Sequence, residues 1–188
     1  MAGTAQQVES SEELAERCQD GDTRAYATLL EQFGPRIFGF LLNRIGNAHD
    51  AEDLTQEVFV KAYRNIHRFD TTRPFGPWLF TIARRTAATF HRRRKPTEIL
   101  AEDTVSDEAG PQNRAESEDD CRRIWAFART LRPRHFEVLW LRYREDFTIP
   151  QVAESLGITL LNTKVLLHRA RAELARKLEA AGFYHSSP

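Results

Sequence analysis

The chain of 188 residues is 41% hydrophobic and 29% charged, and its 27 lysines and arginines cancel its 27 aspartates and glutamates to a formal net charge of zero. That content can bury one modest core or two small ones, and a break in composition midway along the chain favours two. No apolar run approaches membrane-spanning length, the start MAGTAQQVESSEE lacks the basic and apolar regions of a secretion signal, and Cys18 and Cys121 are too isolated for a disulfide framework or a zinc site, so a cytoplasmic protein with reduced thiols is expected.

The pattern is helical throughout, with no strand-like alternation and no internal repeat. Ser10 and Glu13 have capping-box spacing ahead of LAERCQ. Gly21 and Asp22 then start a helix expected to end near Phe33, before Gly34 and Pro35 open another over IFGFLLNRI. In NAHDAEDLTQEVFVKAYRNIHRF, Asn47 is placed to cap a helix, and Ala51, Leu54, Val58, Ala62 and Ile66 recur at core-facing spacing. Asp50, Asp53 and Glu57 share another face with Gln56 beside them, and charge spacing alone reads that face as solvated.

The next segment, RFDTTRPFGPWLFTIARRTAATFHRRRKP, opens with a turn on Asp70, Thr71, Thr72 and Pro74 and enters a helix near Pro77. Phe75, Trp78, Leu79, Phe80 and Ile82 are too many large apolar groups for one stripe. Leu79, Phe80 and Ile82 suit a core, which leaves Phe75 and Trp78 nearer the surface. From Arg84 to Lys95 every formal charge is positive: Arg84, Arg85, Arg92, Arg93, Arg94 and Lys95. Such a run neutralises phosphates, and aromatic rings beside it accept unstacked bases. The order of acidic face, aromatic patch and arginine cluster suggests one surface for a protein and another for DNA.

Composition changes next: from Glu98 to Asp120 nine acids stand against Arg114 alone, which predicts a flexible linker over 96–117 between helical units at 10–95 and 118–181. Helices are expected over about 117–130, 133–144, 149–156 and 160–180. The last two read as a helix-turn-helix. Thr148 and Gln151 fit a capping box, Gly157 suits a left-handed stop, and Thr159 can cap the final helix. On that helix Thr163, Leu167, Ala170, Leu174 and Leu178 should pack inward, leaving Asn162, Lys164, Val165, Leu166, His168, Arg169 and Arg171 toward a groove or its phosphates. A plain helical hairpin is the alternative.

The strings DAEDLTQEVFVKAYR and RFDTTRPFGPWLFTIARR closely resemble domain 2 of bacterial sigma factors of the extracytoplasmic-function group, and LRPRHFEVLWLRYREDFTIPQVAESLGI with LHRARAEL resembles domain 4 of the same group. The resemblance covers most of the chain, in the family's order. It implies that Asp50, Asp53, Gln56 and Glu57 contact the clamp helices of the RNA polymerase largest subunit. It also places Asn65, Phe69, Asp70, Phe75 and Trp78 at the opened −10 promoter element, with Arg84, Arg85, Arg92 and Arg93 on the backbone. For domain 4 it implies −35 element contacts through Arg142, Arg144, Lys164, His168, Arg169 and Arg171, and a contact with the polymerase's second-largest subunit.

Two stretches depart from the family pattern. The recognition helix reads LNTKVLL where relatives carry a Gly-Thr-Val-Lys-Ser-Arg-Leu-like run, so a Ser-Arg pair becomes Val165 and Leu166. Gly76 stands where many relatives have a basic residue. Apolar groups at Val165, Leu166 and Trp78 fit a surface covered by an anti-sigma protein, the usual restraint in this group. The expectation is therefore an all-α promoter-specificity subunit that is not an enzyme, needs no cofactor and does not insert into a membrane. A self-sufficient helix-turn-helix regulator is the competing class. An enzyme fits least, because no GxxxxGK[ST] loop or HExxH helix is present and the histidines are scattered.

Overall fold

A computed structural model describes residues 9–94 and 117–183. The linker expected over 96–117 lies outside the described residues except at its last position, as does Lys95. Within them the chain forms α1 (Ser11–Gln19), α2 (Thr23–Ile45), α3 (Ala48–Asn65), a 3-10 turn (Ile66–Arg68), α4 (Phe75–Arg94), α5 (Ser117–Arg129), α6 (Pro133–Tyr143), α7 (Ile149–Leu156) and α8 (Leu160–Ala180). The fold is all-α in two helical units, α1–α4 and α5–α8.

The helix starts obey local chemistry. The Ser10 hydroxyl accepts from the Glu13 amide while the Glu13 carboxylate accepts from Ser10, and Thr148 and Gln151 form the same reciprocal box ahead of α7. Asn47 accepts from the Asp50 amide and Thr159 from the Asn162 amide. Gly157 ends α7 at φ 65°, a conformation that favours glycine. At α4 the capping is tertiary: the Glu12 carboxylate of α1 accepts the Phe75 amide at 2.7 Å, two residues before Pro77, near which the helix was expected to start.

The predicted break at Gly34 and Pro35 does not occur, and α2 runs through both. An interior proline costs a helix about 3 kcal/mol, whereas each fully buried large side chain contributes roughly 1.5–3 kcal/mol. Phe33, Ile37, Phe40 and Leu41 are all buried on one face while Pro35 is exposed, so packing on both sides outweighs the missing hydrogen bond.

The two units share one buried cluster rather than two separate cores. The Phe40 ring of α2 lies 5.6 Å from Phe80 of α4, 6.0 Å from Phe136 and 6.1 Å from Trp140 of α6. Phe147, in the α6–α7 turn, meets Phe80 edge-on at 5.5 Å. A Cβ on Gly76 would stand 3.1 Å from Phe147 Cζ, so the lack of a side chain there admits the ring. The departure at Gly76 thus has a packing reason.

Candidate nucleic-acid interface

The α3 face emerges as expected: Ala51, Leu54, Val58, Ala62 and Ile66 are buried, Asp53 and Gln56 are exposed, and Asp50 and Glu57 are half-buried at its edge. Glu57 pairs with Lys61 at 2.6 Å and His49 lies 3.8 Å from Asp53, both along the helix. Val60 and Tyr63 are also on this open face, each about half exposed (49% and 48%). Sequence reasoning passed them over. Helical spacing from Gln56 would have found them.

The aromatic patch differs from expectation. Phe75 is wholly buried and Phe69 nearly so, their rings 5.4 Å apart, and Trp78 is half-buried against both, 5.1 Å from Phe69 and 5.4 Å from Phe75. The expectation that Phe75 lies near the surface is corrected: it completes the core below Phe33, whose ring is 5.3 Å away. Trp78 alone of the three presents part of its ring. Asp70 closes its own turn, accepting from the Thr72 amide and hydroxyl, and these bonds hold its carboxyl below the usual carboxylate range. Asn65 donates back to the Lys61 carbonyl at 2.8 Å.

The arginine cluster is split by the packing of α7 on α4. Arg85, Arg92 and Arg93 are exposed, whereas Arg84 is half-buried and donates to the Ser155 carbonyl at 3.3 Å, near the negative end of the α7 dipole. Ser155 donates to the Pro77 carbonyl at 3.0 Å, Thr81 donates to the Ser155 carbonyl at 3.3 Å, and Arg73 pairs with Glu154 at 3.1 Å. The first helix of the helix-turn-helix therefore covers one side of the basic helix.

Two buried carboxylates face arginines of α2 from α6 and the turn after it. Glu145 accepts Arg36 at 2.7 Å and the Trp140 indole N–H at 3.0 Å, and Glu137 lies 3.8 Å from Arg44. Burial pushes both acids above the usual carboxylate range despite their cationic neighbours. None of Arg73, Glu137, Glu145, Glu154 or Ser155 was singled out from the sequence. Their partners are far away in the chain, and no local spacing marks them.

On α8 the predicted inward set holds: Thr163, Leu167, Ala170 and Leu178 are buried and Leu174 packs against the core. Asn162, Lys164, Val165, His168, Arg169 and Arg171 are exposed, and the Arg171 guanidinium lies 5.4 Å from the Tyr143 ring. Leu166 is corrected: it is half-buried and packs on the core, so of the apolar groups assigned to an exposed face there Val165 remains, joined by Leu160 and Leu161. Arg142 is half-buried and donates to the Phe147 carbonyl at 3.2 Å, holding the α6–α7 turn, while Arg144 is exposed. A groove of about 320 Å³ opens between α5, α6 and α8, lined by Ile124, Trp125, Leu139, Tyr143, Leu174 and Leu178, with Cys121 at its rim. Both cysteines are free. No helix among the described residues is long and apolar enough to cross a membrane.

An acidic helix face, a basic helix beside a tryptophan, and a helix-turn-helix with a basic outer helix stand on one small chain. Residues 29–97 match the family Sigma-70 region 2, and residues 121–174 match Sigma-70, region 4. The chain belongs to the sigma-70 family of RNA polymerase sigma factors, in its extracytoplasmic-function group, and acts in transcription initiation as a DNA-binding factor.

It is similar to the sigma factor SigW of Bacillus subtilis, 28% identical with 84% of this chain and 91% of that protein covered. It is also similar to the sigma-E factor of Haemophilus influenzae, 30% identical with 88% and 94% covered. Among solved structures, CnrH in complex with the cytosolic domain of CnrY shares the fold at a TM-score of 0.71 and 23% identity, covering 92% of this chain and 99% of that one. The sigma factor RpoE of Bartonella quintana, in complex with the anti-sigma factor NepR, shares it at a TM-score of 0.69 and 21% identity, covering 82% and 96%.

Proposed function

We propose that this sigma factor has no catalytic step of its own and works in the cytoplasm by dividing labour among three units. Residues 10–95 bind the polymerase clamp and the −10 element, residues 96–117 link, and residues 118–181 bind the −35 element. The observation that carries the reading is the separation of the open acidic face of α3 from the basic, tryptophan-bearing face of α4 over one shared core. Asp50, Asp53, Gln56 and Glu57 take the polymerase's largest subunit, and the α5–α8 groove is the open apolar place for a segment of its second-largest subunit.

Trp78 and the exposed Arg85, Arg92 and Arg93 hold the opened strand, with Asn65 and Asp70 at its edge. Phe69 and Phe75 act from beneath by fixing the Trp78 ring, rather than by stacking on bases. A base stacked on an aromatic side chain gains roughly 1–3 kcal/mol, comparable with the few kcal/mol needed to unstack a step. Capture of exposed bases therefore drives melting without ATP. Arg84 joins the backbone contacts only when α7 leaves it, whereas Arg85, Arg92 and Arg93 are open as the chain stands.

Gel shifts with and without core polymerase test the assignment. Tight promoter binding should need core polymerase, and equally tight binding by the chain alone would instead favour a self-sufficient regulator. An anti-sigma protein is the expected restraint. A partner co-purified from the native host should abolish promoter binding when added back to purified holoenzyme.

A further inference from the structure

Resting on the proposed −35 contact, we infer that α8 chooses its DNA sequence chiefly through thymine methyl groups, read by Leu161 and Val165. One helical turn separates the two, placing them together on the outer side of α8, opposite buried Thr163, Leu167 and Ala170, and Ala172 continues the strip two turns on. Leu161 is 70% exposed and Val165 42%. Exposed Lys164, His168 and Arg169 flank them, and no acid occurs from Leu160 to Ala172. The hydroxyl of Thr159, which opens the helix, accepts from the Asn162 amide.

A narrow apolar strip bordered by cations and free of acids complements a polyanion that displays apolar groups between its phosphates. Duplex DNA does so in the major groove, where the thymine C5-methyl is the apolar feature of the base edges. Leucine and valine side chains make no hydrogen bond to a base. They distinguish thymine from the other bases by burying that methyl, and they lose the distinction when it is absent. The shift of Ser-Arg to Val165 and Leu166 thus changes the kind of readout. Leu166 packs inward and Val165 faces the groove.

Uracil tests this directly, since it keeps thymine's pairing edge and removes only the methyl. Full-length chain assembled with core polymerase is used to select from duplex pools randomised across the upstream element, copied in parallel with thymine or with uracil. The thymine pool should show enrichment at one or more positions, with binding roughly three- to fivefold stronger per favoured thymine, the worth of one buried methyl group. The same positions in the uracil pool should show none. Leu161→Ala and Val165→Ala, both exposed and expected to keep the wild-type helical content and thermal midpoint, should each lessen the thymine–uracil difference.

Equal enrichment in both pools overturns the inference, as does an undiminished difference in the two variants. A result in which the variants lose affinity for a protein inhibitor but choose DNA unchanged assigns the strip to a protein and overturns it as well. Holoenzyme that assembles and selects promoters with no methyl preference leaves the sigma assignment intact. Failure to assemble removes both.

Discussion

Gly76 is where the two halves of the molecule meet ring to backbone. Because a Cβ there would stand 3.1 Å from Phe147, Gly76→Arg should part the α6–α7 turn from α4 while leaving each helical unit folded. Small-angle scattering should then report a larger radius of gyration at unchanged helical content, and an unchanged radius would refute the packing role. Glu137 carries a second prediction. Its carboxyl is held above the ordinary range by burial, so the packed state prefers the proton. The stability tied to that preference is fully present below the ordinary carboxylate range and is lost as pH rises through the raised value. Glu137→Gln removes the titration. The thermal midpoint of the variant should therefore gain on that of the wild type as pH is raised from acid to neutral, and a constant gap would contradict the assignment.

The acidic face of α3 and the basic face of α4 make opposite demands of solvent. Asp53→Ala with Glu57→Ala should weaken core-polymerase binding at least tenfold in a fluorescence titration without loss of helix, because Asp53 is exposed and Glu57, at the edge of the face, pairs with Lys61 of its own helix. Tyr63→Ala should do the same through lost contact area, since a half-exposed aromatic on an interface is a common hot spot. Replacing Arg85, Arg92 and Arg93 with alanine should flatten the salt dependence of promoter binding, by about 0.7 in log–log slope for each single-strand phosphate contact removed. Local signals made these elements legible in advance: caps at Ser10, Asn47, Thr148 and Thr159, the α3 stripe, and the bounds of α7 and α8 all follow from neighbouring residues. The continuous α2, the buried Phe75 and the half-buried Leu166 were not legible. Each is decided by a distant element, namely the core gripping Phe33 and Ile37, the roof of Phe33 and Phe69, and the packing beneath α8.

Taken whole, the molecule packs its helix-turn-helix against one side of its own basic helix. Arg84 and Arg73 bind the helix-turn-helix at Ser155 and Glu154, while the acidic face of α3 and the outer strip of α8 stay open. That packing would have been hard to read from a chain whose charges sum to zero, since Arg73 meets Glu154 and Arg36 meets Glu145 across the fold and not along the sequence. The most direct measurement is run-off transcription by purified core polymerase on a promoter library, with and without this chain. Discrete start sites should appear only when the wild-type chain is present and should disappear with the Asp53→Ala, Glu57→Ala double variant. The same products from core polymerase alone, or none with the wild-type chain, would contradict the account.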